Sequence, residues 1–174
     1  MAATRIYLAP GASGGIERLH PHRDGLAARG VEVELVTLPR GSAERAIPVY
    51  REAVPESGRA SVAIGGQSFG GRVASLIAAE AAPGALILIS YPLHAPGRHE
   101  AWRDRTSHWP QIGCPVLLLS GESDPFARID LLRGAVERLP DATLRTWPDV
   151  GHGLRGPILD EALDAIVAFL EERT

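Results

Sequence analysis

Ser61-Val62-Ala63-Ile64-Gly65-Gly66-Gln67-Ser68-Phe69-Gly70-Gly71-Arg72, running on as Val73-Ala74-Ser75-Leu76-Ile77-Ala78-Ala79-Glu80, is the stretch that decides the fold of this 174-residue chain. Residues 61–64 are a short β-branched and apolar run, while Val73, Leu76 and Ile77 recur at the i, i+3, i+4 spacing of a helix face. Between them lies a glycine-crowded turn with Ser68 at its tip. A strand that turns sharply into a helix holds a serine hydroxyl exposed, where a neighbouring base can activate it. Such a turn leaves room for little more than hydrogen at the flanking positions, which Gly66 and Gly70 supply. In a chain with 19 glycines the pattern G-x-S-x-G is weak by itself, since a Gly-Gly turn whose serine merely caps the helix spells the same letters. Its place between strand and helix gives it weight.

Outward from this turn, strands alternate with helices. Residues 5–9 predict a first strand, and Pro10-Gly11-Ala12-Ser13-Gly14-Gly15 the loop that ends it. Residues 16–29 carry Ile16, Leu19 and Leu26 into a helix whose start Pro21 obscures, and Gly30 stops it. In 31–38, Val31, Val33 and Leu35 alternate with acidic residues, which suits a strand near a sheet edge. Residues 41–57 predict a helix with Ser42 as N-cap and Glu44 in its first turn. The capping box is incomplete, because Arg45 stands three residues after Ser42.

Residues 85–90 and 116–120 are unbroken apolar runs of the kind buried on both faces of a parallel sheet. An irregular connection, 91–113, joins them. Residues 129–139 read as a helix, 142–147 as a last strand and 158–172 as a closing helix, with Leu159, Leu163, Ile166, Val167 and Leu170 facing the core. The implied fold class is α/β, a doubly wound and mostly parallel sheet of about six strands in three layers. Its length suits one domain over 1–174.

Composition narrows the function. The net charge is -3, with 18 basic and 21 acidic residues, so no nucleic-acid partner is expected. No apolar run approaches the length of a membrane span, and no signal-peptide pattern opens the chain, so the expectation is a cytoplasmic protein without a membrane partner. Cys114 stands alone and reads as a buried structural thiol. The chain contains no lysine, hence no G-x-x-x-x-G-K-[ST], and the first loop does not spell G-x-G-x-x-G. The histidines and carboxylates show no recognisable metal spacing. No cofactor and no metal are expected.

A serine at such a turn needs a general base, and the base needs an acid to orient it. Asp124, in Gly121-Glu122-Ser123-Asp124-Pro125-Phe126, lies immediately beyond the strand 116–120. His152, in Asp149-Val150-Gly151-His152-Gly153-Leu154, lies between the last strand and the closing helix. Asp149 and Glu122 compete with Asp124, although Asp149 suits a turn. His20, His22, His94, His99 and His108 read as surface or loop residues. Tyr91, Trp102 and Trp109 either line a binding site or form a satellite core.

With these residues in place the chain resembles the α/β-hydrolase superfamily, in its compact dienelactone-hydrolase-like branch without a cap domain. The resemblance covers essentially the whole chain, through the first loop, the elbow around Ser68, the Asp124 segment and Gly151-His152-Gly153. It implies a serine hydrolase that cleaves an ester, thioester or related acyl substrate. Ser68 would be the nucleophile, His152 the general base and acid, and Asp124 the residue that orients His152. It further implies an oxyanion hole from the backbone N–H groups of Phe69 and Ala12, with Ser13 as the substitute. Ser13, Tyr91 and His94 are candidate substrate contacts. Acyl transfer and a non-catalytic scaffold role use the same fold.

This chain departs from that pattern in three ways. Pro10 stands where many relatives have a histidine before the first glycine. Early antiparallel strands are missing. Ser68 replaces the cysteine of the dienelactone hydrolases, so dienelactones are not implied as substrates.

Overall fold

The computed structural model describes residues 5–173. Six strands form one parallel sheet: β1 (Arg5–Ala9), β2 (Glu32–Leu35), β3 (Ala63–Gln67), β4 (Ala85–Ile89), β5 (Val116–Gly121) and β6 (Ala142–Trp147). Their order across the sheet is β2-β1-β3-β4-β5-β6. Successive strand residues point to opposite faces, and the sheet divides its side chains accordingly. Tyr7, Ile64, Leu86, Leu88, Val116 and Leu118 join one core. Ile6, Leu8, Ala63, Ile87, Ile89, Leu117 and Leu119 join the other.

Each core is closed by helices. The first lies under α2 (Ala43–Ala53), α3 (Phe69–Glu80) and α5 (Ile129–Val136), through Tyr50, Val73, Ile77 and Leu132. The second lies under α1 (His20–Ala27) and α6 (Gly156–Glu172), through Leu26, Leu163, Ile166 and Phe169. The central strands β4 and β5 are buried throughout, which is why their sequences are uninterrupted apolar runs. At the edge, β2 exposes Glu32 and Glu34, and the acidic alternation follows.

Several boundaries move for identifiable reasons. The strand expected over 31–38 is only Glu32–Leu35. One further bond, from the Val36 N–H to the Leu8 carbonyl at 2.9 Å, continues the ladder until β1 ends at Ala9 and Pro10 offers no N–H. Pro21 does not interrupt a helix. It sits in the first turn of α1, after a 3₁₀ turn over Ile16–Leu19, where a missing N–H costs nothing. In α2, Ser42 has the extended backbone of an N-cap but its side chain makes no capping bond.

The connection after β4 contains α4 (Trp102–Arg105) and short 3₁₀ turns. It packs Tyr91 against Trp109 with ring centroids 5.1 Å apart, as part of the first core. Cys114 is buried there too, and burial pushes its thiol up to about 12. His22, expected at the surface or in a loop, is buried in α1, while His94 lies in a loop as expected and is buried there. Among the described residues no helix is long and apolar enough to cross a membrane.

Candidate active site

The sharp turn at Ser68 is visible in its backbone, with φ 50° and ψ -117°, between the last residue of β3 and the first of α3. A side chain in that left-handed region is strained, and two neighbours absorb the crowding. A Cβ on Gly66 would overlap the Ala9 carbonyl and the backbone of Gly70, and one on Gly70 would overlap the carbonyls of Ala9 and Pro10. Hydrogen is therefore the only side chain that fits at either position. The Ser68 N–H bonds to the Ile89 carbonyl at 2.8 Å, and its carbonyl accepts from the Arg72 N–H at 3.1 Å. The elbow is held from the strand side and from the helix side.

Ser68, Asp124 and His152 come together at the carboxyl ends of β3, β5 and β6. His152 Nε2 lies 3.0 Å from Ser68 Oγ, and His152 Nδ1 lies 2.8 Å from Asp124 Oδ2. A carboxylate only accepts, so Nδ1 carries the proton and Nε2 is left to accept from the serine hydroxyl. Asp124 is buried, and its other oxygen accepts from the Phe126 N–H at 2.8 Å. The two loops are tied by the Ser123 N–H on the Val150 carbonyl and the Glu122 N–H on the Trp147 carbonyl, each at 2.9 Å. His152 and Asp124 are thus positioned by one another's loops.

The competitors lie elsewhere. Asp149 is an exposed turn residue at φ 59°. Glu122 accepts from Thr146 Oγ1 at 2.7 Å and from Arg133 at 3.2 Å.

Two hollows meet at Ser68. One, of about 320 Å³, adjoins Phe69, Arg72, Pro92, Ala95, Arg105 and Phe126. The other, also about 320 Å³, adjoins Ser13, Arg18, Phe126, His152 and Arg155. Ala12 borders both. The Phe69 N–H opens α3 and belongs to the first turn, whose donors have no partner inside the helix. The first loop runs beside Ser68: a Cβ on Gly11 would stand 3.5 Å from that of Ser68.

Tyr91 and His94 do not reach either hollow. The Tyr91 hydroxyl donates to the Arg105 carbonyl at 2.8 Å. His94, fully buried, has Nδ1 2.9 Å from the Ala95 carbonyl, and its Nε2 accepts from the Arg128 N–H at 3.0 Å. Both side chains brace the loops that frame the site, and neither has a polar atom to spare for a substrate.

Several residues at the site escaped the sequence reading. Phe126 packs its ring against that of His152, with centroids 4.5 Å apart. Ser90 accepts from the N–H of Gly153, the residue after His152, at 3.2 Å. Arg72 and Arg105 face the hollow beside Ser68. Arg72 had a signal, since it stands one helical turn after the serine. The other three are brought in by tertiary folding alone. Among the described residues no cluster of three or more histidines, cysteines and carboxylates could hold a metal ion.

A parallel αβα sandwich with a strained serine elbow at the end of its third strand is the architecture of the α/β hydrolases. Residues 39–162 match the family model of the alpha/beta hydrolase domain, and the chain belongs to that family. The monoacylglycerol lipase of Paleococcus ferrophilus superposes with a TM-score of 0.83 at 17% identity, covering 98% of this chain and 95% of that one. A CIB-like hydrolase of Thermoplasma acidophilum gives 0.76 at 18% identity, over 97% and 86% of the two chains. An α/β hydrolase enzyme from the metagenome of Mar Chica lagoon sediments gives 0.77 at 19%, over 98% and 92%. At these identities the likeness is one of fold.

Proposed function

We propose that the protein is a serine hydrolase acting on an ester, thioester or related acyl compound. The observation that carries this reading is the continuous chain from Ser68 Oγ through His152 to the buried Asp124, at 3.0 and 2.8 Å. Ser68 Oγ attacks the substrate carbonyl while His152 Nε2 takes its proton. Asp124 holds the Nδ1–H tautomer and stabilises the imidazolium that forms. The oxyanion is stabilised by the N–H groups of Phe69 and Ala12. The imidazolium returns its proton to the leaving group, the C–O or C–S bond breaks, and an acyl-Ser68 remains. Water, deprotonated by His152, then releases the acid and restores the serine.

A lipase stands among the structures of the same fold, which agrees with carboxylic ester chemistry. The test is an acyl-chain-length series of p-nitrophenyl esters on wild type and Ser68→Ala, with fluorophosphonate labelling of the folded protein. Loss of at least ~10³-fold in kcat/KM on removing the serine hydroxyl is expected, together with labelling at Ser68. Retained activity in Ser68→Ala, or no labelling, would overturn it.

A further inference from the structure

We infer that the acyl part of the substrate carries its own acid group, a carboxylate or a phosphate, seated between Arg72 and Arg105 beside Ser68. The inference rests on the hydrolytic reading above and adds the substrate class.

Direction comes first. The leaving group must receive its proton from His152 Nε2, so it occupies the hollow that His152 borders. The acyl chain then extends the other way, into the hollow of about 320 Å³ bordered by Phe69, Arg72 and Arg105. In a molecule of net charge -3, that hollow holds two guanidinium groups. Among the described residues neither is in an ion pair. The Arg72 Nε is buried with no hydrogen-bond partner, a donor left unmade in a place where that is costly. Arg105 spends one nitrogen on the Pro92 carbonyl at 3.0 Å.

The two cations also oppose each other. Burial, and then the nearby charge of Arg72, push the Arg105 guanidinium below its ordinary range. The one carboxylate at the rim, Glu44, is exposed and is held in its charged form chiefly by a hydrogen bond with Ser42. Its charge interacts with that of Arg72 across the rim without closing an ion pair, so the two guanidinium groups are only partly neutralised. An oxyanion between them would accept from the guanidinium N–H groups that border the hollow and relieve the repulsion, and guanidinium groups match carboxylate and phosphate geometry better than any other side chain.

The experiment compares kcat/KM for monomethyl glutarate, methyl 4-phosphonobutanoate and the uncharged methyl pentanoate, in wild type, Arg72→Met, Arg72→Lys and Arg105→Met. Wild type is expected to favour at least one of the acidic esters over the neutral one by tenfold or more, and the better of the two identifies the acid group. Each methionine variant should cut that ratio at least tenfold, with Arg72→Lys retaining part of it. A wild-type preference for methyl pentanoate, or a ratio indifferent to both methionine substitutions in folded protein, would overturn the inference while leaving the hydrolase reading intact. If none of these esters is cleaved, the hydrolase reading is decided by the p-nitrophenyl and labelling tests above, and calorimetric titration with glutarate and 3-phosphonopropionate decides the anion site. Saturable binding that Arg72→Met abolishes supports it, and absence of binding sinks it.

Discussion

Ser90 directly follows β4 with φ 50°, a strained conformation for a residue with a side chain, and it is fully buried. Its N–H bonds to the Leu119 carbonyl at 2.8 Å and its hydroxyl accepts from the Gly153 N–H at 3.2 Å. Its neighbour across that bond is the residue after His152, so the hydroxyl fixes the loop that presents His152. Ser90→Ala keeps the backbone demand and removes only the acceptor. A hydrogen bond of this kind is worth about 1 kcal/mol, so a three- to tenfold fall in kcat is expected with KM little changed. Steady-state kinetics beside a melting curve check this. A fall in Tm with unchanged kcat would make Ser90 a packing residue only. That Ser68, Asp124 and His152 come together was legible because each stands a few residues at most beyond the end of a strand, and in a parallel sheet the carboxyl ends of the strands share one rim. Ser90 and Phe126 stand at similar places, but a hydroxyl that accepts from a distant loop, or a ring that packs on a distant imidazole, leaves no local pattern.

At the scale of elements, the long apolar strands were legible almost to the residue, because burial on both faces leaves no freedom of composition. Helix ends were less so, since they are set by tertiary neighbours: α3 begins at Phe69 because the glycines around Ser68 allow the chain to turn at once, well before the first apolar residue of its face. Tyr50 of α2 is a bond between elements that no periodicity announces. Its hydroxyl lies 2.7 Å from the Tyr7 carbonyl and 2.6 Å from that of Gly65, and it accepts from the Gly65 N–H at 3.0 Å. Its single proton serves one carbonyl at a time, and burial pushes its ionisation far above the ordinary range. One phenol therefore clamps α2 onto β1 and β3, three residues upstream of Ser68. Tyr50→Phe leaves the same ring in place and strands buried backbone groups, at a cost of about 1–3 kcal/mol. Thermal unfolding of the variant should fall by several degrees. An unchanged melting temperature would mean that water replaces the hydroxyl.

For the molecule as a whole, the charge balance predicts no preferred polyanion, yet it conceals a source of acid sensitivity. His22 of α1 is buried, both its ring nitrogens lack partners, and burial lowers its pKa from 6.5 to about 4. His108, 2.8 Å from Ser75 Oγ, is likewise lowered to about 4, by burial first and then by the charge of Arg72. Above pH 6.5 both states of the chain hold these rings neutral, and nothing is lost. Between pH 6.5 and about 4 the unfolded chain takes up protons that the folded one refuses, so stability falls as pH falls. For His22 the shift corresponds to a loss on the order of 3 kcal/mol by pH 4. His22→Leu replaces two unsatisfied nitrogens by carbon and should be at least as stable at pH 7. Its advantage over wild type should then widen steadily down to pH 4.5 in denaturant titrations. Parallel stability curves for the two proteins would show that His22 binds its proton in the folded state, and would place the acid limb on the carboxylates instead.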